Sequence, residues 1–283
     1  MTPNSSGTGS SSIRIASWTV HRLGLGTNRL TGTQEGRAIL RQALALGVNF
    51  IDTADVYQSG ASEETIGEVI SPTMSNVVVA TKGGMVRTAE RMGTDARPSH
   101  LREAFEASLR RLRRDRIDLY QLHRVDPRSP IEESLAVLRD LQREGRIRAV
   151  GVSNVTLPEL ERARKVVPIA SVQNRYNVLD RESEDVLDYC AKHEIAFLPW
   201  FPLGHGKIGS ESKLAAIAER RGATPHQIGL AWLLARSPYV LPIPGTLSEQ
   251  HLKENLAAMD LRLDPEDIQK LNVLATPGVA RHE

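Results

Sequence analysis

A short apolar, β-branched run that breaks off in polar residues, followed by a stretch of helical periodicity, recurs eight times along this 283-residue chain. The runs are RLGLGT (Arg22 to Thr27), VNFIDTA (Val48 to Ala54), NVVVATK (Asn76 to Lys82) and IDLYQLH (Ile117 to His123). They continue with IRAVGVSN (Ile147 to Asn154), ASVQN (Ala170 to Asn174), IAFLPW (Ile195 to Trp200) and YVLPIPG (Tyr239 to Gly245). Alternation at this count and length selects an α/β fold of one kind, a (β/α)8 TIM barrel in a single domain. The open doubly wound sheet lacks its marker: Gly24-Leu25-Gly26 is followed by Thr27-Asn28-Arg29, without the third glycine of the dinucleotide fingerprint. Helices are expected over Gln34 to Leu46, Ser99 to Arg114, Ile131 to Glu144, Leu157 to Lys165, Glu184 to His193, Pro225 to Arg236 and Glu249 to Met259, with Ser99, Thr156 and Thr224 as caps. Residues 1–12, Met1 to Ser12, are rich in Ser, Gly, Thr and Pro and read as a disordered tail. Residues 13–283 read as the barrel.

In such barrels the chemistry sits at the C-terminal ends of the strands. Run two ends at Asp52 and is followed by Tyr57; run three ends at Lys82; run four ends at His123. Singly, Asp52 could cap a turn, Tyr57 could pack on the rim, Lys82 could be a solvated cation and His123 a core histidine. Four proton-handling groups at neighbouring strand ends form a constellation that chance explains poorly. A tyrosine hydroxyl titrates near 10 and is a weak acid-base catalyst at neutral pH. A nearby ammonium is expected to bring that value down, and a carboxylate paired with the ammonium fixes its position. A histidine beside the tyrosine can orient a substrate oxygen. The set points to carbonyl reduction or its reverse. Lys82 as the Schiff-base lysine of an aldolase is a rival that leaves Asp52 and Tyr57 without work.

Several segments carry a family likeness: NFIDTADVYQSG (Asn49 to Gly60), VVVATKGG (Val77 to Gly84), RIDLYQLHRVDP (Arg116 to Pro127), IRAVGVSN, SVQNRYN (Ser171 to Asn177) and LPIPGTLSEQHLKENL (Leu241 to Leu256). From about Arg22 to Leu274 the chain resembles the aldo-keto reductases. The resemblance implies an NAD(P)H-dependent oxidoreductase acting on carbonyl and alcohol groups, with Asp52, Tyr57, Lys82 and His123 catalytic and Tyr57 as general acid and base. It implies a nicotinamide dinucleotide held without a Rossmann domain. Gly26 and Thr27 would lie at the first-strand turn, Asp52 would also contribute to cofactor binding, and Ser153, Asn154 and Gln173 would hold the carboxamide. Trp200 would stack on the nicotinamide, with Phe201 and Leu203 along the pyrophosphate. Gly245, Thr246, Ser248 and His251 would hold the far phosphate, and Glu254 and Asn255 the adenine. Asn and Gln amides offer the donor and acceptor a carboxamide needs, and a helix starting near Glu249 presents free N–H groups to an anion. Many relatives carry Lys at the position of Gly245 and Arg at that of His251. NADP(H) is the favoured cofactor and NAD(H) the alternative. WFPLG with IPGT and HLKEN resembles a branch that includes pyridoxal reductases. A non-catalytic, NADP-binding redox sensor with a protein partner is a further alternative.

Composition removes other classes. Lys and Arg number 36 against 34 Asp and Glu, which gives no electrostatic case for nucleic acid. A single cysteine, Cys190, forms no internal disulfide and reads as core. The histidines lack metal-ligand spacing, so no metal is expected. No apolar run reaches the roughly 20 residues of a membrane span, and the opening lacks the pattern of a signal peptide. A cytoplasmic monomer with a small carbonyl substrate is the expectation. The run Arg110, Arg111, Arg113, Arg114 and Arg116 reads as a solvated helix end. The connection from Gly83 to Arg97, holding Met85, Arg87 and Arg91, is long enough to be a binding loop. Met85, Arg124 and Phe201 are expected in the substrate pocket. With only 3 Trp, 5 Tyr and 4 Phe in the chain, placing Tyr57, Trp200 and Phe201 at one rim leaves a mainly aliphatic core.

Overall fold

The fold follows from a computed structural model that describes residues 11–71, 73–87 and 92–275. Seven parallel strands lie side by side in chain order: β3 (Leu25–Gly26), β4 (Phe50–Asp52), β5 (Val78–Gly83), β8 (Ile117–Leu122), β9 (Ile147–Ser153), β10 (Ile169–Gln173) and β11 (Ala196–Phe197). Every residue of β5 and β8 is buried, as expected for strands with side chains inside the barrel on one face and helices on the other. The eighth run closes the ring without becoming a strand. Val240 bridges Phe197 in parallel, and on the other side Gly24 N donates to Pro242 O at 2.9 Å and Gly26 N to Pro244 O at 3.3 Å. Pro242 and Pro244 carry no N–H, so this segment accepts from the first strand at those positions and returns nothing. The expected (β/α)8 barrel is the observed fold.

The helices form the outer layer. α1 (Gln34–Ala45), α4 (Ile131–Arg143), α5 (Leu157–Val166), α6 (Glu184–Lys192), α8 (Pro225–Arg236) and α9 (Glu249–Ala257) fall where periodicity places them. Thr156 and Thr224 both form capping boxes, with Glu159 and Gln227. α3 (Pro98–Leu112) starts earlier than expected: Arg97 is the cap residue and Pro98 takes the first turn, so Ser99 is already inside the helix. Three helices escaped the sequence pattern: α2 (Ala61–Val69), α7 (Ser212–Arg221) and α10 (Pro265–Asn272). α2 turns Ser62, Glu63, Thr65 and Gly67 inward beside Ile66, so no apolar stripe announces it.

A hairpin absent from the sequence reading, β1 (Ser12–Ile15) and β2 (Trp18–His21), precedes the barrel. Ile13, Ile15 and Val20 pack with Phe50, Val78 and Leu119 of the barrel interior. His21 N donates to Asn49 Oδ1 at 2.7 Å, and Asn49 lies just before β4, so the hairpin closes the N-terminal end of the barrel. The expected tail lies outside the described residues as far as residue 10, and Ser12 already belongs to β1. Phe50 is the one aromatic among the buried side chains of that interior. Tyr120, Tyr176, Phe105, Phe197 and Trp232 are buried in the layer between strands and helices. Cys190 is buried there too, and burial pushes its thiol up to about 12. Among the described residues no helix is long and apolar enough to cross a membrane, and no group of His, Cys, Asp and Glu could hold a metal.

Gly67 shows how closely α2 meets α3. A Cβ there would lie 2.3 Å from Arg111 O and 2.8 Å from Leu112 C. In an open helix Gly→Ala is worth roughly 1 kcal/mol of stabilisation, whereas forcing a methyl group against backbone costs about 1–3 kcal/mol. Gly67→Ala is therefore expected to destabilise the fold, which a lower urea midpoint checks.

Candidate active site

At the C-terminal end of the barrel the strand ends bring together what the sequence kept apart. Asp52 closes β4, Lys82 lies near the end of β5 and His123 immediately follows β8. Tyr57 starts a 3-10 turn, Tyr57–Gly60, in which Gln58 and Ser59 hold positive φ of 50° and 55°. Left-handed backbone at non-glycine residues is costly and is concentrated at sites under functional constraint. Here it turns the chain back so that the Tyr57 ring lies over the barrel mouth.

Lys82 is fully buried, and its three N–H bonds all find acceptors. Nζ donates to Asp52 Oδ2 at 2.8 Å, to Thr53 O at 2.7 Å and to Tyr57 Oη at 3.3 Å. Asp52 is as fully engaged, since its Oδ1 accepts from Gln173 Nε2 at 2.8 Å and Gln121 Nε2 at 3.4 Å. Burial alone would lower the Lys82 ammonium, but Asp52 and Tyr57 outweigh it and the group is held raised. A lysine that stays charged beneath a tyrosine is a poor Schiff-base nucleophile.

The tyrosine departs from expectation. Burial pushes the Tyr57 hydroxyl above its usual value, and Lys82, which pulls it down, does not compensate. The phenol is thus held protonated, where the sequence reading expected a lowered pKa. His123 sits edge-on to Tyr57, with ring centroids 5.9 Å apart and planes at 83°. Burial, then Lys82 and Arg124, lower the imidazole well below its ordinary value, so it is neutral at pH 7. Its Nδ1 has no hydrogen-bond partner.

A cleft of about 650 Å³ opens above these groups. Tyr57, His123, Met85, Arg124, Trp200 and Phe201 are among its lining residues. Ser153, Asn154 and Gln173 line its wall. Asn154 donates to His123 O at 3.0 Å and Ser153 Oγ at 3.0 Å, and accepts from Trp200 Nε1 at 3.1 Å. The Trp200 and Phe201 rings meet edge to face at 4.5 Å. Gly26, Thr27, Leu203, Gly245, Thr246, Ser248, His251, Glu254 and Asn255 line it as well. Thr27 Oγ1 donates to Asp52 O at 2.8 Å, which ties the first turn to the second strand. Of the expected site residues, Lys82 alone is absent from the lining; it acts from beneath.

The expected binding loop contains a hairpin, β6 (Met85–Arg87) and β7 (Met92–Thr94). Arg87 is exposed, and Arg91 lies outside the described residues. Two arginines of the cationic run are tied down: Arg111 to buried Glu63 at 2.7 Å and Arg114 to Asp118 at 2.8 Å. The sequence reading missed Gln121, whose inward position two residues before His123 was available from strand alternation. It also missed Arg29, Ile243 and His226 in the cleft; His226 stands two residues beyond a recognised cap but reaches the cleft through long-range packing.

The sequence profile of the aldo/keto reductase family matches residues 22–275. The chain belongs to that family. It is 38% identical over 271 residues to an uncharacterized oxidoreductase of Schizosaccharomyces pombe, covering 92% of this chain and 88% of the relative. It is 38% identical over 279 residues to pyridoxine 4-dehydrogenase of Escherichia coli, covering 93% and 98%. The structure of an aldo-keto reductase from Klebsiella pneumoniae in complex with NADPH superposes with a TM-score of 0.83 at 30% identity, covering 94% of this chain and 95% of that one. These relatives mark this chain as an oxidoreductase of carbonyl and alcohol groups.

Behind the site lies Asp55, which the sequence reading also passed over. Its Oδ1 is buried without a partner, and burial, together with the Glu63 carboxylate, raises its pKa to about 7. A raised carboxyl binds its proton more tightly in the folded state, so stability falls as pH climbs from about 4 through 7. Asp55→Asn is expected to raise the melting temperature at pH 8 by about 2–4 °C and by less at pH 4.5, which thermal unfolding at the two values checks.

Proposed function

We propose that this protein is an NADPH-dependent reductase of small aldehydes and ketones, with Tyr57 as the proton donor. The observation that carries the reading is the buried ammonium of Lys82 between Asp52 Oδ2 at 2.8 Å and Tyr57 Oη at 3.3 Å. The residues of the cleft suit a dinucleotide. Ser153, Asn154 and Gln173 present hydroxyl and amide groups to a carboxamide. Trp200 offers an aromatic face, and Gly245 allows backbone approach: a Cβ there would lie 2.9 Å from Gly26 O. When bound, the nicotinamide supplies the hydride. The residues of this chain would do the rest. His123, neutral, can donate a hydrogen bond to the substrate oxygen and so orient the carbonyl. Tyr57, protonated, gives its proton to that oxygen as negative charge develops, and Lys82 stabilises the phenolate left behind. Asp52 keeps Lys82 charged and in place. NAD(H) is the alternative cofactor.

Met85, Arg124 and Phe201 would border the substrate. The relationship to Escherichia coli pyridoxine 4-dehydrogenase makes pyridoxal the first substrate to assay, beside simple aldehydes. A non-catalytic redox partner would bind NADPH and turn over none of them.

Two measurements test the reading. Tyr57→Phe is expected to lower kcat for aldehyde reduction by about 10²–10⁴-fold while leaving NADPH affinity within a fewfold; equal turnover in both proteins would sink the role of Tyr57. The pH profile carries a sign. With Tyr57 raised above 10 and His123 lowered below 6.5, neither group changes its dominant protonation state between pH 7 and 9, and only the minor phenolate fraction of Tyr57 grows. Reduction should stay flat with respect to both, whereas alcohol oxidation, which needs the phenolate, should climb with pH across that window. Steady-state rates in both directions, with Asp55→Asn alongside to isolate the carboxyl that titrates near 7, check this.

A further inference from the structure

The charged side chains that line the cleft are Arg29, Asp52, Arg124 and Glu254. Asp52 is neutralised by Lys82 at 2.8 Å, and Glu254 accepts from Gln250 Nε2 at 2.8 Å. Arg124 is exposed, and among the described residues its guanidinium has neither an ion pair nor a hydrogen bond. The nearby acids are already taken. Asp126, two residues on, is held by Arg128 at 2.8 Å and by the backbone N–H of Ala96 at 3.2 Å. Asp95, beside Ala96, is held by Arg97 at 2.6 Å. The main chain leading into Arg124 is pinned on both sides: His123 N donates to Gly83 O at 2.9 Å, and His123 O accepts from Asn154 Nδ2 at 3.0 Å. An unneutralised cation is thereby held beside the His123 imidazole, whose lowered pKa registers it. Arg29 likewise lacks an acidic partner among the described residues, but it belongs to the loop after β3, whereas Arg124 adjoins His123.

From this arrangement we infer that Arg124 selects carbonyl substrates that also carry an anionic group, a carboxylate or a phosphate monoester, and anchors them by that group. The inference rests on the reductase reading above and leaves its chemistry unchanged. The carbonyl carbon gains a hydride from NADPH, its oxygen gains the Tyr57 proton, and NADP⁺ and an alcohol are released. A planar guanidinium meets either anion with two parallel N–H bonds. On an open surface an arginine is ordinarily a solvated cation, and pairing it gains little. Arg124 instead adjoins the group proposed to orient the carbonyl, in a cleft lined also by the apolar side chains of Met85, Trp200 and Phe201. Such walls screen a charge less than bulk water does, so an anion brought there is held more strongly. Holding the anionic end also restricts the carbonyl end, so that binding energy is used to orient the reacting atoms.

Steady-state kinetics of the full-length protein with NADPH and matched substrate pairs tests this: 4-carboxybenzaldehyde against methyl 4-formylbenzoate, and glyceraldehyde 3-phosphate against glyceraldehyde. The two pairs separate carboxylate from phosphate. Wild type is expected to favour the anionic member of at least one pair by about tenfold in kcat/KM, the worth of one hydrogen bond to a charged group. Added salt should shrink that ratio. Arg124→Gln should bring the ratio near one, Arg124→Lys should keep part of it, and Arg124→Glu should invert it. Taking the ratio within each protein cancels any general loss of activity, and thermal unfolding reports that each variant is folded. Equal kcat/KM within both pairs in wild type, or a ratio unaltered in Arg124→Gln and Arg124→Glu, would overturn the inference. A tenfold loss of NADPH affinity in folded Arg124→Gln would overturn it too, by assigning the guanidinium to the dinucleotide. Wild-type protein that reduces no carbonyl with NADPH would refute the reductase reading itself.

Discussion

A single buried cation organises the upper half of this barrel. The Lys82 ammonium has no access to water, and a charge in that position is tolerable only because each of its N–H bonds meets an oxygen. The acceptors come from three places: the end of β4, the loop after it and the turn that carries Tyr57. Satisfying one charge therefore fixes the relative positions of three chain segments. Gln121 and Gln173 complete the arrangement from β8 and β10 by occupying the remaining oxygen of Asp52. Truncating one member of such a buried pair costs about 3–5 kcal/mol, because the other is left uncompensated. Asp52 and Lys82 are accordingly residues of the fold as much as of the proposed reaction.

The same burial that orders Lys82 governs the protonation of its neighbours. The ammonium does not turn Tyr57 into a ready phenolate; desolvation prevails and keeps the proton on. For the proton donor proposed here, that is the useful state. His123 is held neutral by the same surroundings, so it can interact with a carbonyl without adding a second full charge beside Lys82. The site separates its roles by environment: one permanent cation beneath, and two neutral donors above.

Much of this was legible in the chain. Strand ends announce themselves where β-branched runs stop at polar residues, and Asp52, Lys82 and His123 were placed from that alone. Family likeness adds the proposed cofactor positions, including Trp200, that residue chemistry left open, and these residues line one cleft. What stayed hidden has physical reasons. α2 buries polar side chains, so its inward face looks like an outward one. Asp55 and Gln121 matter through neighbours distant in sequence. His226 sits in an ordinary first helical turn, and only the approach of α9 makes it part of the cleft. The direction of the Tyr57 shift depended on how deep the ring lies, which spacing does not encode.

The prolines of the eighth run give the ring an asymmetry of its own. At Pro242 and Pro244 the closing segment receives hydrogen bonds from Gly24 and Gly26 and gives none back. That junction is a seam in the wall: its two sides are held by one-way bonds, and they lie so close that a Cβ on Gly245 would meet Gly26 O at 2.9 Å. The cleft runs directly across it, with Gly26 and Thr27 on one bank and Gly245 and Thr246 on the other. A long ligand laid there would touch both banks, so the surface that holds it is the barrel's own seam.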